Sequence, residues 1–475
     1  MAQRVLEPGT TCWRTERADH LTSIVDAADY FRHAKSAMLQ ARKRIILIGW
    51  DFDTRIAFEP DRRTLEGPNR LGAFLKWLPK HRPDLDIYLL KWNIGAISAL
   101  GRGMTPVFVH NWFSNPRLHF EIDGAHPVSA AHHQKIIVVD DALAFCGGID
   151  MTVDRWDTSE HADRSRYRRE PTGRRYGPWH DVTTAVDGQA ARALGDQARA
   201  RWLAATGEEL EPVEPAHTIW PDGLEPTLHD VDVSIARTLP EYGDQKGVHE
   251  IEALYHAVIA GARHSLYLES QYLASRSIAE ALAERLREPD GPEIVLVLPR
   301  NAEGWLEQKA MDGARRTLLH TLWEADIHGR FGAYYPVTAG ERPIYVHAKV
   351  VVMDDTLLRI GSSNLNNRSM GFDSECDLAI EAVEPGDDIG RAAVDLRNKL
   401  IAEHLDVPFD KVAQEITNTS LISTIERLRG PGRSLQPFRR DTVADEDSVL
   451  AENALMDPER APDTFGRRLG QLLSR

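Results

Sequence analysis

Residues 132–150 read HHQKIIVVDDALAFCGGID, and residues 346–364 read VHAKVVVMDDTLLRIGSSN. Aligning His133 with His347 sets an offset of 214 (347 − 133), and the same offset carries Lys135 onto Lys349, Asp140 onto Asp354 and Gly147 onto Gly361. Agreement in order and spacing within one chain marks an internal repeat, so the fold has to be read as two similar halves. Each copy opens on His-x-Lys, continues through an apolar run at 136–139 or 350–353, and closes on Asp. A short apolar run without alternation reads as a strand buried on both faces. Side chains at i and i+2 of a strand point the same way, so each copy delivers an imidazole and an ammonium side by side.

Working outward, the elements before each copy also recur in order. A helical pattern at about 22–43 leads into RIILIGW, and one at about 249–262 leads into SLYLESQY. A second helix and strand follow in each half, 71–80 with DIYLLKW and 278–287 with EIVLVLP. Strands alternating with helical stretches indicate βαβ units. The expectation is α/β: two similar α/β sandwich lobes, their mixed, mainly parallel sheets flanked by helices, forming a pseudodimer with the active site between them. The first lobe is placed at 1–203, a Pro-, Gly- and Glu-rich connector at 204–226, the second lobe at 227–405 and an acidic, helical tail at 406–475.

The chain's 475 residues suffice for two or three such bodies. A formal charge of −15 argues against a protein that coats nucleic acid, whose affinity comes from neutralising phosphates, so an anionic ligand must meet a local basic site. Cys12, Cys146 and Cys376 are odd in number and far apart, which indicates neither a disulfide framework nor a zinc site. The first residues lack a signal-peptide pattern and no apolar run is long enough to span a bilayer. A cytoplasmic protein is expected, at most peripheral to a membrane, and monomeric with an internal pseudo-twofold axis.

A single His on a strand is more often a packed core residue than a catalyst. Two in matched motifs, each with a lysine on the same face, reverse that reading, because burying two ammonium groups together is costly unless an anion joins them. If the lobes pack about a twofold axis, His133, Lys135, His347 and Lys349 converge on one pocket. Two lysines on the non-bridging oxygens of a phosphodiester and two histidines flanking phosphorus make a phosphoryl-transfer site. The small residues after the motifs, Gly147 and Gly148 in one half and Gly361 and Ser362 in the other, allow close approach to a ligand.

These paired HxKxxxxD motifs resemble the phospholipase D superfamily. The likeness runs from about residue 20 to 405 and includes GGIDMTVDRWD (147–157), PWHDV (178–182), YLESQYL (267–273) and IGSSNLNNRSMGFDSE (360–375), which look like the eukaryotic-type phosphatidylcholine-cleaving branch. The resemblance implies a phosphohistidine on His133, His347 as general acid and then base, and a carboxylate for each histidine, Glu375 for His133 and Asp181 for His347. It also implies phosphate binding by Lys135, Lys349 and Asn364, with Gly148 and Ser362 as further substrate contacts. Asp140 and Asp354 are expected to be structural, at the far end of each motif strand. Asp150 stands where the second half has Asn364; its charge would repel phosphate, so it is left unassigned.

No cofactor or metal is required, since the middle member of each motif is a lysine, which repels metal ions. Trp50, Trp92, Trp156 and Trp179 fall near the expected site; packing is favoured over a cage for a quaternary ammonium. The Arg-rich stretch at 164–175 is read as a solvated loop before a contact for lipid headgroups. The expected activity is hydrolysis of a glycerophospholipid at a membrane surface to phosphatidic acid and headgroup alcohol, with transfer to added alcohols. The alternatives are a superfamily nuclease, which the acidic composition disfavours, and a cardiolipin-synthase-like phosphatidyl transferase. No stable nucleic-acid partner is expected.

Overall fold

The computed structural model describes residues 4–92, 115–127, 129–215, 217–302, 305–384, 386–440 and 457. The first half contributes β1 (Arg14–Val25), α1 (Ala27–Gln40), β2 (Arg44–Gly49), α2 (Leu71–His81), β3 (Asp86–Trp92), β4 (Leu118–Asp123), β5 (Ile136–Val139), β6 (Leu143–Gly147), β7 (Trp179–His180), β8 (Val182–Asp187) and α3 (Gly188–Thr206). The second contributes β9 (Leu228–Leu239), β10 (Val248–His249), α4 (Glu250–Gly261), β11 (Ser265–Glu269), α5 (Arg276–Arg287), β12 (Glu293–Val297), α6 (Trp305–Ala325), β13 (Phe331–Val337), β14 (Tyr345–Val346), β15 (Val350–Met353), β16 (Leu357–Gly361), β17 (Glu375–Glu381) and α7 (Asp388–Leu405). Two short helices, α8 (Phe409–Asn418) and α9 (Leu421–Leu428), and β18 (Ser434–Pro437) follow.

The halves share one sheet. Its order is β18-β13-β12-β11-β15-β16-β17-β9-β1-β8-β6-β5-β2-β3-β4, so six strands recur in the same order outward from the central β1/β9 pair on both sides, and β18 is added at one edge. β1 and β9 run antiparallel over a long register, from Arg14 opposite Ile235 to Leu21 opposite Leu228. The expected α/β class holds, with two corrections. The lobes are joined through the middle of a continuous sheet, and within it only β2-β3-β4 and β11-β12-β13 are parallel, every other ladder among the described residues being antiparallel. Parallel neighbours need a long crossover, which α2 and α5 supply; the hairpins after each motif are too short to give anything but antiparallel pairs.

All four residues of β5 (IIVV) and of β15 (VVVM) are buried, and each strand lies between two others. At about 1.5–3 kcal/mol per large apolar side chain, these short strands fix the register of both motifs. One apolar layer runs along a whole face of the sheet through both lobes, from Ile46 and Val138 to Val295 and Val352, and is covered by residues of α3 and α7. The other face carries a separate core in each lobe, under α1 and α2 in the first and under α4 and α5 in the second.

The expected connector begins inside α3, and Ile219 from it packs into the first lobe's core. The expected tail is in its first part an extension of the second lobe: Val412, Leu421 and Ile425 join the shared apolar layer and β18 pairs with β13. Its remainder beyond residue 440, apart from Asp457, lies outside the described residues. Among the described residues no helix is long and apolar enough to cross a membrane.

Candidate active site

Two short crossed contacts bring the lobes together ahead of the motif strands. His132, just before β5, bridges to Ser374, just before β17, and β14, just before β15, pairs with β7. The amides repeat the symmetry: His133 N–H donates to Ser374 O at 2.9 Å and His347 N–H to His180 O at 2.8 Å. Each motif histidine is therefore seated beside the residue that follows in the other lobe, Glu375 or Asp181. His133 Nδ1 lies 3.0 and 3.1 Å from the two oxygens of Glu375, and His347 Nδ1 lies 2.7 Å from Asp181 Oδ2. With Nδ1 held in this way, Nε2 of each ring is left for chemistry. The ring centroids are 6.5 Å apart.

The lysines behave as a pair. Lys135 Nζ donates to His133 O at 2.8 Å and Lys349 Nζ to His347 O, so each ammonium is folded back beside its own histidine. Both are almost fully buried. Lys135 is also 3.1 Å from Asp150 Oδ2, whereas Lys349 meets the neutral amide oxygen of Gln271 at 3.3 Å. The asymmetry seen in the sequence thus has a physical content: Asp150 is the counter-ion of Lys135. Asn364 is buried and its Oδ1 makes no hydrogen bond within the protein.

Burial, then the charges of Lys135 and Lys349, hold the His133 imidazole well below its ordinary value; burial, then Lys349 and Arg155, do the same for His347. Burial also brings Lys349 down to about 7 and raises Glu375 to about 7 and Asp181 to about 6. The site is a cluster of titratable groups short of water, in which the free imidazoles are neutral and a second anion would relieve the lysines.

Two expected substrate contacts have other roles. A Cβ on Gly148 would fall 2.1 Å from Asp181 Oδ1, so the glycine is what lets Asp181 reach the position from which it holds His347. Ser362, expected at the phosphate, gives its hydroxyl to Glu375 Oε2 at 2.5 Å, and Ser369 donates to Oε1 at 2.6 Å. Both residues serve the carboxylates, because a buried carboxylate needs donors and space before anything else. Asp140 and Asp354 lie far from the histidines. Asp140 accepts the amides of Arg42, Lys43 and Arg44 at 2.6–2.8 Å, and Asp354 those of Arg263, His264 and Ser265 at 2.7–2.8 Å. Each closes the turn that starts β2 or β11.

Known proteins resemble this chain to different extents. A family model described as the PLD-like domain of cardiolipin synthase matches residues 255–389, and one described as phospholipase D matches residues 332–450. The chain is 22% identical to phospholipase D A of Dictyostelium discoideum, over 85% of this chain and 38% of that one. It is 24% identical to phospholipase D1 of Schizosaccharomyces pombe, over 83% of this chain and 36% of the other. In sequence the chain is similar to the phospholipase D superfamily. A cardiolipin synthase of Geobacillus kaustophilus is 26% identical over 59% of this chain and 47% of its own length. Among solved structures, phosphatidylserine synthase of Haemophilus influenzae Rd KW20 has the same fold, with a TM-score of 0.53 at 14% identity, covering 86% of this chain and 94% of that one. The chain spans 36 to 38% of the length of the first two phospholipases D.

Both superfamily models fall in the second lobe and its extension, so the first lobe's share of the site rests on the repeat and on the geometry just described. That geometry adds residues the motifs did not single out. Trp179 lies against His347 (centroids 5.2 Å, 36° between planes) and stacks on Tyr345, while the guanidinium of Arg155 covers its ring at 4.1 Å. Trp50 and Trp92 stack on each other, and Trp156 is buried against Tyr167, so the four tryptophans form no common cage. In the Arg-rich stretch Arg168 is buried on Asp157, an anchor and not a solvated residue. Arg155 and Gln271 lie inside the quoted stretches GGIDMTVDRWD and YLESQYL; nothing in their spacing from the histidines marks them.

Proposed function

We propose that this protein is a phospholipase D: it hydrolyses a glycerophospholipid to phosphatidic acid and the headgroup alcohol through a phosphohistidine, and transfers the phosphatidyl group to added alcohols. The observation that carries this reading is the pair of imidazoles, 6.5 Å apart between centroids, each with Nδ1 on a carboxylate from the other lobe and a buried lysine alongside. Nε2 of His133, neutral in the free site, attacks phosphorus, and the headgroup oxygen leaves with a proton from His347. Burial and then the charges of Lys349 and Arg155 keep His347 deprotonated in the free site; the phosphodiester's own charge offsets those cations, so His347 takes up its proton as substrate binds. Water then attacks the phosphohistidine, gives a proton to His347 and releases His133. Lys135, Lys349 and Asn364 hold the non-bridging oxygens, and the substrate phosphate takes over Lys135 from Asp150. No step in this route uses a metal ion or cofactor, and the lipid substrate is met at a membrane surface.

The likeness to a cardiolipin synthase favours one second reading, in which a lipid hydroxyl replaces water as acceptor. One experiment tests both. The chain is incubated with phosphatidylcholine and phosphatidylethanolamine vesicles, a primary alcohol or phosphatidylglycerol, with His133→Ala and His347→Ala beside it. Phosphatidyl-alcohol from the wild type and from neither variant supports the lipid reaction. Absence of any lipid product, with cleavage of DNA or RNA instead, replaces it with the nuclease.

A further inference from the structure

One residue before Asp181, a second cluster of ionisable groups is closed off from solvent. Asp26 just after β1, His161 just ahead of the Arg-rich stretch, His180 in β7 and Glu403 in α7 are all buried, and one ligand atom from each lies within 4.8 Å of the others. His161 Nε2 is 3.2 Å from Glu403 Oε1 and 3.7 Å from Asp26 Oδ2; His180 Nδ1 is 2.9 Å from Glu403 Oε1 and 3.3 Å from Asp26 Oδ1. The far nitrogen of each ring is already held by another carboxylate, His161 Nδ1 by Asp157 at 3.0 Å and His180 Nε2 by Glu269 at 2.9 Å. His161 Nε2 has hydrogen-bond geometry to Glu403 Oε1, whereas His180 Nδ1 has none; in its neutral form each ring, with its far nitrogen donating, turns a lone pair toward Asp26 and Glu403, which are acceptors too. Acceptor facing acceptor in a dry site is resolved only by a cation.

Two further observations say which cation. His180 Nδ1 makes no hydrogen bond although Glu403 Oε1 is 2.9 Å away, so the distance is short while the direction is wrong for N–H···O. Ligands at about 2.0–2.1 Å around a tetrahedral zinc are separated from each other by about 3.3 Å, close to the 2.9 and 3.3 Å from His180 Nδ1 to Glu403 Oε1 and Asp26 Oδ1 and the 3.2 Å from His161 Nε2 to Glu403 Oε1. Imidazole nitrogens backed by carboxylates are the usual second layer of a zinc centre. Charge agrees. Arg168 takes up Asp157, His404 lies 2.9 Å from Glu269, and a dication answers Asp26 and Glu403.

We propose that Asp26, His161, His180 and Glu403 form a structural zinc site that ties the first lobe to α7 of the second. The ion acts on the active site through the backbone. Asp26 N–H donates to Asp181 O at 2.8 Å, Asp181 N–H points back at Asp26 Oδ1 at 3.3 Å, and His180 O accepts the His347 amide. These four are positioning residues for Asp181 and His347, outside the phosphate pocket.

The full chain, purified without chelator and passed through gel filtration, is expected to carry about one zinc per molecule by mass spectrometry of its metals. Chelator should remove it and lower the melting temperature, added zinc should restore it, and cobalt in its place should show the intense visible bands of a four-coordinate centre. His161→Gln and Glu403→Gln should weaken zinc binding by at least about tenfold. His404→Gln, which leaves all four ligands, should retain the metal. A wild-type chain that holds no stoichiometric zinc even after exposure to it, with a melting temperature indifferent to zinc and chelator, overturns the proposal and leaves protonated imidazoles as the cations. That readout on the unaltered protein stands even if a variant fails to fold.

Discussion

Replacing Glu375 by Gln (E375Q) separates the carboxylate's charge from its shape. Glu375 faces His133 Nδ1 with both oxygens at 3.0–3.1 Å and receives the hydroxyls of Ser362 and Ser369. A glutamine keeps one oxygen and offers an NH2 group on the other side, so either the imidazole or one serine loses its acceptor. A hydrogen bond to a charged group contributes about 1.5–3 kcal/mol, and in the proposed mechanism that support grows as His133 takes up positive character on attacking phosphorus. The expected loss in kcat is therefore about 10- to 150-fold, at 1.36 kcal/mol per factor of ten. Burial raises Glu375 to about 7, which means that ionising it in the folded state is unfavourable and that stability declines as pH rises from the unfolded carboxyl range to that value. E375Q should consequently be at least as stable as the wild type at pH 8, so lost activity cannot be ascribed to unfolding. The assay is headgroup release from vesicles, with acid-quenched phosphoenzyme and a urea titration alongside. A variant with unchanged kcat, or one that loses activity only through KM, refutes the role given to this carboxylate.

Other perturbations test the remaining parts. Lys349, brought by burial to about 7, loses its proton as pH rises through that value in the free protein; kcat/KM should fall on that side, and Lys349→Arg should move the alkaline limb to higher pH, an unmoved limb counting against the assignment. Gly148→Ala places a methyl 2.1 Å from Asp181 Oδ1 and should depress kcat with the circular dichroism spectrum retained; wild-type kcat would show that Asp181 need not sit where it does. Asp377 accepts Arg359 Nε at 2.9 Å, the Ser362 amide at 2.9 Å and the Ser363 hydroxyl at 2.6 Å, so Asp377→Ala strands a buried guanidinium and should lower urea stability by about 3–5 kcal/mol. Asp140→Ala and Asp354→Ala each orphan three backbone amides at about 1–3 kcal/mol apiece; both should destabilise to a similar degree while kcat per folded molecule stays unchanged, and a selective loss of kcat would move them into the chemistry.

What the sequence disclosed followed from periodicity and repetition. The helices expected at 71–80 and 249–262 occur at Leu71–His81 and Glu250–Gly261, and the motif strands lie where the apolar runs lie. A period-two argument was enough to place each His beside its Lys. Glu375 and Asp181 were assigned only through the family resemblance, since nothing local says that Ser374 would bridge to His132 or that β7 would pair with β14. The parallel content was overestimated because βαβ patterning sees crossovers and not the hairpins after each motif. Ser362 and Gly148 were read for what small residues offer a ligand, whereas their constraint comes from a carboxylate behind them. Least legible was the Asp26, His161, His180 and Glu403 cluster, whose members are scattered along the whole chain without the short spacings that reveal most metal sites.

The central antiparallel pair of β1 and β9 has a mechanical meaning. Because backbone hydrogen bonds cross the boundary between lobes, and because each histidine leans on a carboxylate from the other side, the two halves cannot swing apart as jaws without breaking a ladder and disabling both imidazoles at once. Under the proposed function, a lipid headgroup comes to a cleft of fixed width. On that reading, whatever adjusts to substrates of different size belongs to the loops above the sheet, and swapping those loops between relatives should transfer headgroup preference while leaving the rate of the proposed phosphohistidine step untouched.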